Sequence, residues 1–289
     1  MKLLLQPTPL PQAVARFDRK TPVASVLGSA EWADMPVELR ESSLWSAGVT
    51  YGRFLTGSQE QLSKAIGLRR EAVENGEAVV DRSSFIGTMA ALVRGGYSMG
   101  ELTPVEPSLR GTLRDIGSRA RLGLIYDMQV RKALGYSRWK MDQNPTSLNL
   151  YPAQRLTRLR PSKIPRDWDL IWQDAGEAVG WEGASQDGMV ALKTSPIWVE
   201  ISEFGVPWPP FRYGSGMGLV DVPRNRAEDL GLIESGERLT PEDGAFTDGL
   251  EADTDSMSPA AVAQILEAFG DQVELIGTVL RWVSGRAAA

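Results

Sequence analysis

Residues 188–222 read GMVALKTSPIWVEISEFGVPWPPFRYGSGMGLVDV. This stretch combines large rings with prolines and glycines, which restrict or reverse the backbone. Its rings are Trp198, Phe204, Trp208, Phe211 and Tyr213. Such a composition predicts one rigid, irregular unit and not a flexible linker. Two interpretations stay open: a loop that buries its rings to close a hydrophobic core, and a docking surface or the floor of a site.

Ordinary secondary-structure signals flank and interrupt the rings. The apolar run Met189–Leu192 predicts a short buried strand. Ser195 and Pro196 supply a cap and a first-turn proline for a helix over Ile197–Phe204, which Gly205 ends. We therefore expect this part of the chain to belong to an α+β core.

The first hundred residues carry mostly helical patterns. Asp81 is a favoured N-cap, and Phe85, Met89 and Leu92 follow it on one stripe of a helix that a glycine pair at 95 and 96 ends. Further along, residues 112–140 predict one long helix or two, with interruptions at the glycines of positions 117, 123 and 135. Residues 1–30 contain prolines at 7, 9, 11 and 22 and predict an arm laid over another part of the protein.

The C-terminal part begins with an acidic, glycine-rich segment, residues 234–257, that predicts a loop or an extended arm. Ser258 and Pro259 cap a helix through Phe269, and Gln272–Val283 predicts a second amphipathic helix. We therefore predict an α+β fold that is mainly helical, with a small irregular sheet in the central core and extended N- and C-terminal arms. Three regions are expected: a helical N-terminal region at 1–108, an α+β core at 109–233, and an acidic arm with C-terminal helices at 234–289.

Histidine and cysteine are both absent from the 289 residues. Their absence excludes disulfides, thiolate nucleophiles, Ser-His-Asp triads and zinc sites with imidazole or thiolate ligands. Carboxylate, lysine, tyrosine and arginine chemistry remains. The N-terminal apolar run is too short for a secretory signal, and no run approaches the roughly 18 apolar residues of a membrane span. We expect synthesis in the cytoplasm and no membrane partner.

Three short stretches resemble known sequence motifs, but each lacks a residue or a spacing that the chemistry of the motif requires. Gly96–Gly100 matches the G-x-S-x-G nucleophile elbow, but it follows a helix and no histidine exists to activate Ser98. Gly214–Gly218 lacks the spacing of a phosphate-binding loop, and the P-loop glycine that should precede Lys193 is Leu192. We accordingly predict no enzymatic activity, no catalytic residue, no metal site and no cofactor.

Charge is distributed unevenly along the chain. Residues 110–166 contain thirteen Lys/Arg and three Asp/Glu, a net charge of +10, whereas residues 221–255 contain three and eleven, a net charge of −8. The basic region also carries Tyr126, Tyr136, Trp139 and Tyr151, a mixture typical of sequence-independent contact with DNA phosphates and bases. The alternative is that the two segments neutralise each other within the fold.

Two stretches resemble one protein family. Residues 119–139, RARLGLIYDMQVRKALGYSRW, resemble the R-A-R-x-I-x-x-T-x-x-R-x-A-x-x-x-G-R-W helix of phage head morphogenesis proteins, the Mu F-like minor head proteins. Downstream, Pro196-Ile-Trp198 followed by Pro207-Trp-Pro-Pro-Phe211 is similar to the P-F-W … P-P segment of that family. The resemblance covers roughly residues 110–225. Many members follow Pro-Pro with Cys-Arg-Cys, where this chain has Ser215-Gly-Met217, so no metal role carries over.

The resemblance implies a structural component of the phage head that acts in capsid assembly at the portal. The portal protein and the major capsid protein are the expected partners, with non-specific double-stranded DNA as a further candidate, in the virion and in the host cytoplasm during assembly. The side chains expected to contact DNA or the portal are Arg119, Arg121, Arg131, Lys132, Arg138, Lys140, Arg155, Arg158 and Arg160. Those expected to pack or dock are Trp139, Trp198, Trp208, Pro209, Pro210, Phe211 and Tyr213.

Two other functions stay open at this stage. One is a head-completion or tail-adaptor connector, which copy number per particle would separate from a minor head protein. The other is a histidine-free, metal-dependent nuclease that would use Asp127 or Asp167, although no cluster of carboxylates at helical or strand spacing supports it.

Overall fold

The computed structural model describes residues 11–35, 37–67, 80–162, 165–180, 188–242, 251–254, 259–269 and 273–282. The chain divides into two compact units, residues 1–133 with 246–289, and residues 134–245. The boundaries between these units differ from residues 108 and 233, the boundaries predicted from the sequence. The predicted α+β, mainly helical class is confirmed.

Helices dominate the first unit. They span Pro11–Asp18, Ser29–Ala33, Val37–Ser42, Gly52–Gly67, Arg82–Ser98 and Pro259–Phe269, with the first part of a long helix, Arg119–Asp142. A short 3-10 turn covers Pro107–Leu109. The strands are the parallel pair β1 (Thr21–Pro22) and β2 (Ser43–Leu44), and a second sheet of β6 (Glu251–Asp253), β7 (Val273–Ile276) and β8 (Val279–Trp282) in the order β6-β8-β7.

Helix Arg82–Ser98 begins as the sequence predicts. The Asp81 side chain accepts a hydrogen bond from the Ser84 amide at 2.7 Å, which satisfies one of the unpaired donors of the first turn. Phe85 and Met89 are fully buried in the core of this unit. The glycine pair at 95 and 96 does not end the helix, which continues to Ser98, because glycine lowers helix stability without breaking the hydrogen-bond ladder.

The described part of the N-terminal region packs over other elements of the first unit. Phe17 packs in one hydrophobic cluster with the helices Gly52–Gly67 and Arg82–Ser98. Val23 and Leu27 are buried in a second cluster that includes Ile265. Residues 11–35 therefore contribute buried side chains to both clusters.

The C-terminal helix Pro259–Phe269 is confirmed, but the second predicted helix is wrong. Strands β7 and β8 form an antiparallel hairpin that pairs Ile276 with Val279. Gly277 occupies the turn with φ = +64°, a conformation that glycine adopts without steric cost. The β-branched residues Val273, Ile276 and Val279 favour a strand, and short apolar runs do not distinguish the two periodicities.

The second unit is built on a three-stranded antiparallel sheet in the order β4-β3-β5. Its strands are β3 (Ala153–Arg158), β4 (Val190–Leu192) and β5 (Met217–Val222), with β3 in the centre. The predicted strand at 189–192 is confirmed as β4. A short helix, Pro145–Leu150, precedes β3, and Asn144 caps it by accepting a hydrogen bond from the Thr146 amide.

Helices and rings cover this sheet. The helices are Pro145–Leu150, Trp168–Ala178, Ile197–Glu200 and Arg224–Asp229, with the second part of the long helix. Trp198 and Phe211 are fully buried, with ring centroids 6.0 Å apart, and Trp172 meets Trp198 edge-on at 5.2 Å. The Trp198 indole donates to the Leu192 carbonyl at 2.7 Å, so its polar nitrogen is satisfied inside the core. The helix predicted over Ile197–Phe204 ends at Glu200.

Candidate functional site

The two stretches that carry the family resemblance meet in the second unit. Trp208 is 1% exposed, and its ring lies 5.2 Å from Tyr136 and 5.1 Å from Trp139. We call these three rings the aromatic junction. The backbone of Gly135 lies directly against Pro209, the residue after Trp208. A Cβ at position 135 would stand 1.9 Å from the Pro209 carbonyl oxygen. The peptide bond between Pro209 and Pro210 is cis.

Four charged side chains next to the junction form a neutral cluster. Lys193 is 2% exposed, and its Nζ lies 2.9 Å from Asp142 Oδ1 and 2.8 Å from Asp221 Oδ1. Arg138 lies 3.2 Å from the second oxygen of Asp221 and 3.6 Å from that of Asp142. The Lys193 contacts are close ion pairs that lack good hydrogen-bond angles. Two cations and two carboxylates thus balance, which is what a buried charge requires.

Arg138 also joins the long helix to the sheet. Its guanidinium donates a hydrogen bond to the Leu219 carbonyl of β5 at 3.1 Å. Arg138 is predicted from the sequence to contact DNA or the portal. Lys193 is considered there only as a P-loop lysine, and it is rejected because Leu192 replaces the glycine that should precede it. Both side chains are instead part of the internal structure of this unit. The sequence signal that could have found Lys193 is its place at the end of the buried strand β4.

Two more of the predicted contact residues are occupied within the first unit. Arg121 donates to the Ser46 hydroxyl at 2.9 Å, to the Leu113 carbonyl at 3.2 Å and to the Ala47 carbonyl. Burial lowers the pKa of Arg121, and Asp115 opposes this change. Lys132 forms an ion pair with Glu41 at 2.8 Å. These side chains stabilise the unit, so a role for them at a partner surface stays a prediction without support from their contacts.

Glu41 is the centre of a buried charge cluster in the first unit. Its carboxylate meets Lys132 at 2.8 Å and Arg16 at 3.6 Å, and its carbonyl accepts from Lys20. Burial raises the pKa of Glu41, but Lys132, Lys20 and Arg16 together outweigh it and lower the pKa to about 2. Burial is the largest cause that lowers the pKa of Lys20, to about 8. The cluster ties the helix Val37–Ser42 to Arg16, Lys20 and Lys132.

The remaining predicted basic residues lie at or near the surface. Arg119, Arg158 and Arg160 are exposed, whereas Arg131, Lys140 and Arg155 are half-buried. Among the predicted packing residues, Tyr213 differs from the others because it is 44% exposed, and its ring meets Phe204 edge-on at 4.9 Å. Pro210 is buried and Pro209 is half-buried. The ring-rich stretch therefore both closes a core and presents one ring to solvent.

The two carboxylates considered for a nuclease have local structural partners. Asp127 pairs with Arg82 at 3.2 Å. Asp167 caps the helix Trp168–Ala178 by accepting from the Leu170 amide at 3.1 Å. Within the part of the chain that the structure describes, no group of three or more acidic side chains is placed to hold a metal ion.

A groove of about 800 Å³ opens at the end of the long helix. Met141, Leu150 and Tyr151 give it an apolar wall, and Lys140 and Glu242 lie at its polar side. The Glu242 amide donates to the Gln143 side chain at 2.8 Å, which holds the segment that forms one rim. Asp142, a member of the four-charge cluster, also lines this groove. As for membranes, none of the helices in the described ranges is long and apolar enough to cross a bilayer.

Comparison with known proteins returned no protein-family profile, no curated protein and no solved structure that matches this chain. Its function is therefore inferred from the residues and contacts described above.

Proposed function

We propose that this chain is a phage or prophage virion structural protein, a minor head protein that acts in capsid assembly at the portal. The observation that carries the proposal is the aromatic junction, in which the two stretches resembling the minor head proteins pack directly on each other. Gly135 and Pro209 are in close contact at this place. A shared contact explains why both stretches occur in one chain, in this order, because each needs the other for burial.

Assembly fits the surroundings of the junction better than catalysis does. Arg138 and Lys193, two cations of the same unit, are neutralised by Asp142 and Asp221. A reactive group needs an accessible, poised side chain, whereas these charges are balanced and held in a fixed geometry. The junction thus has the properties of a rigid support for a docking surface. The proposed partners are the portal protein, the major capsid protein and packaged DNA.

The test is incorporation into particles together with binding to the portal. Heads are purified from the phage or induced prophage that encodes the chain, and its copy number is measured by quantitative mass spectrometry. In parallel, the purified protein is sedimented with rings of the portal protein encoded nearby. Low-copy presence in heads and co-sedimentation are the expected results. A monodisperse monomer that is absent from particles and indifferent to portal and capsid protein would refute the proposal.

Copy number also separates the neighbouring possibility. A head-completion or tail-adaptor protein follows the symmetry of the portal ring and stays with the connector when heads are disrupted, whereas a minor head protein does not form such a ring. A ring-symmetric stoichiometry on isolated connectors would replace the proposed function by the connector function.

A further inference from the structure

A basic surface surrounds the loop Arg212–Gly216, between the ring-rich stretch and β5. Arg158 donates to the Ser215 carbonyl at 3.1 Å, and Arg166 donates to the Tyr213 carbonyl at 3.0 Å. The backbone amide of Arg160 donates to the Gly216 carbonyl at 3.0 Å. We propose that these arginines, with Arg212 and the exposed Tyr213 ring, form a binding surface for the phosphodiester backbone of DNA. We call it the arginine loop surface.

The hydrogen-bond partner of Arg158 leaves its positive charge in place. Carbonyl oxygens accept hydrogen bonds but carry no net charge, so Arg158 is oriented without being neutralised. Arg138, in contrast, is paired with two carboxylates. An oriented and uncompensated guanidinium is pre-organised for phosphate, which it binds through parallel N–H groups.

Glu203 is the carboxylate bonded within this surface. It lies 3.7 Å from Arg212 and 4.0 Å from Arg166, and it also accepts weakly from the Tyr213 amide at 3.5 Å. The net charge of the named side chains is +3, from four arginines and one carboxylate: Arg158, Arg160, Arg166 and Arg212 with Glu203. Asp167 and Asp169 follow Arg166 in sequence and also carry negative charge, since the N-cap hydrogen bond of Asp167 orients its carboxylate without neutralising it; counting both lowers the net charge to +1. A surface with this excess attracts a polyanion.

The loop itself is held firmly, so the surface is pre-formed. Gly216 has φ = +68°, and a Cβ there would stand 2.3 Å from the Arg160 carbonyl oxygen, so loop and strand end are in direct contact. Arg212 donates to the Ile201 carbonyl at 3.2 Å and lies over the Trp168 ring at 5.9 Å. Binding would therefore cost little ordering of the backbone, because the geometry already exists before the ligand arrives.

DNA is favoured over an acidic protein segment by the exposed ring. Tyr213 follows Arg212 in sequence, its carbonyl accepts from Arg166, and its ring is in edge-on contact with Phe204. A basic groove that includes an exposed aromatic ring is the arrangement that neutralises phosphates and stacks on bases. The choice of DNA rests on the proposed function, since packaged DNA is the polyanion that a head protein meets. Because the contacts reach phosphate and not base edges, we expect binding without sequence preference.

The experiment measures DNA affinity of the full chain against salt concentration. Fluorescence anisotropy is recorded with a labelled 30-base-pair duplex and with a single strand of the same length. Arg160→Gln removes one exposed guanidinium and keeps the backbone hydrogen bond, and Arg158→Gln combined with it removes two. The matched control is Arg94→Gln with Arg114→Gln, two exposed arginines of the first unit. Circular dichroism melts establish that all variants are folded.

Removing one arginine that neutralises a phosphate should reduce the magnitude of the slope of log K against log salt by about 0.9, and should weaken duplex binding roughly tenfold at about 50 mM salt. The control variant should change the salt slope and the duplex affinity only slightly. A duplex preference assigns the surface to packaged DNA, and a single-strand preference that Tyr213→Leu abolishes assigns it to stacked, unpaired DNA; either supports the phosphodiester ligand.

Three results would overturn the inference without touching the proposed function. The first is wild-type protein that enters heads but does not bind either DNA. The second is equal loss of affinity in the loop variants and in the control. The third is unchanged DNA affinity with loss of portal co-sedimentation, which would give the surface to an acidic protein partner. Absence from heads with intact DNA binding would instead refute the proposed function alone.

Discussion

Replacing Gly135 with alanine separates local helix preference from tertiary packing. Gly135 lies inside the helix Arg119–Asp142, where alanine is favoured over glycine by about 1 kcal/mol. The new Cβ would stand 1.9 Å from the Pro209 carbonyl oxygen and 3.3 Å from the Trp208 ring. Since the obstructing atom belongs to the backbone, the helix or the proline segment must shift by about 1 Å. Overpacking of this kind costs about 1–3 kcal/mol.

We expect the variant to lose about 2 kcal/mol of stability, the upper part of the overpacking range less the helix gain. Two other helical glycines are controls. Gly87→Ala meets no atom within 4 Å, so it should gain about 0.5–1 kcal/mol. Gly123→Ala meets the flexible Arg82 guanidinium at 2.0 Å, which can move aside, and should be near neutral.

The assay is urea unfolding followed by far-ultraviolet circular dichroism and by tryptophan fluorescence. Trp139 and Trp208 of the aromatic junction are two of the nine tryptophans, so the Gly135 variant should also change the native emission, and the Gly87 variant should not. A Gly135→Ala protein as stable as the Gly87→Ala protein, with native emission unchanged, would refute the close contact between helix and proline segment. It would also remove the observation on which the proposed function rests.

Four further predictions use the same measurements. Trp208→Ala should cost about 3–5 kcal/mol because it empties a fully buried ring site, whereas Tyr213→Ala should cost under 1 kcal/mol; equal losses would contradict the difference in burial. Lys193→Met should cost about 3 kcal/mol by leaving two carboxylates with one cation, and no loss would mean that the cluster is open to water. The pKa of Glu41 is about 2 in the folded protein, against an ordinary value of 4.5, so this carboxylate contributes about 3 kcal/mol of stability above pH 4.5, and the contribution is lost as pH falls toward 2. Glu41→Gln should therefore be less stable at pH 7, and its stability should depend less on pH in the acid range. An acid stability profile that is unchanged in this variant would refute the cluster. The pKa of Lys20 is lowered to about 8, so the unfolded chain binds more protons than the folded protein between about pH 8 and 10.5, and stability should rise with pH in this range. Lys20→Met should lack this rise. A rise that persists in the variant would mean that another group causes it.

Local features of the fold were predictable because their causes are local. Asp81 caps its helix through a bond to a residue three positions away, and Pro259 begins a helix by its own fixed φ. The hairpin at β7 and β8 was mistaken for a helix because its stabilising partner, β6, lies far upstream in the sequence. A strand is completed by a neighbour, and the neighbour is not visible in a local pattern.

The charges show the limit of sequence reasoning most clearly. Arg121, Lys132 and Arg138 were grouped with Arg158 and Arg160 because they share one basic run. Their partners come from distant segments: Lys132 meets Glu41 and Arg138 meets the sheet. Within the described ranges, Arg138 with Asp221 is an ion pair of the kind that the alternative requires, in which the acidic and basic segments neutralise each other. Whether a cation is paired or available is a property of its neighbours in space.

The sequence by itself determined the absence of histidine and cysteine chemistry, the Asp81 cap that begins the helix Arg82–Ser98, and the concentration of rings, prolines and glycines in the stretch from Gly188 to Val222. These follow from side-chain chemistry and from bonds between residues a few positions apart. Only the tertiary structure decided which rings of that stretch are buried, that Trp208 lies between Tyr136 and Trp139, and that its arginine loop keeps its charge. The reason is that burial and charge compensation depend on distant residues brought together by folding, and their free energies exist only in that environment.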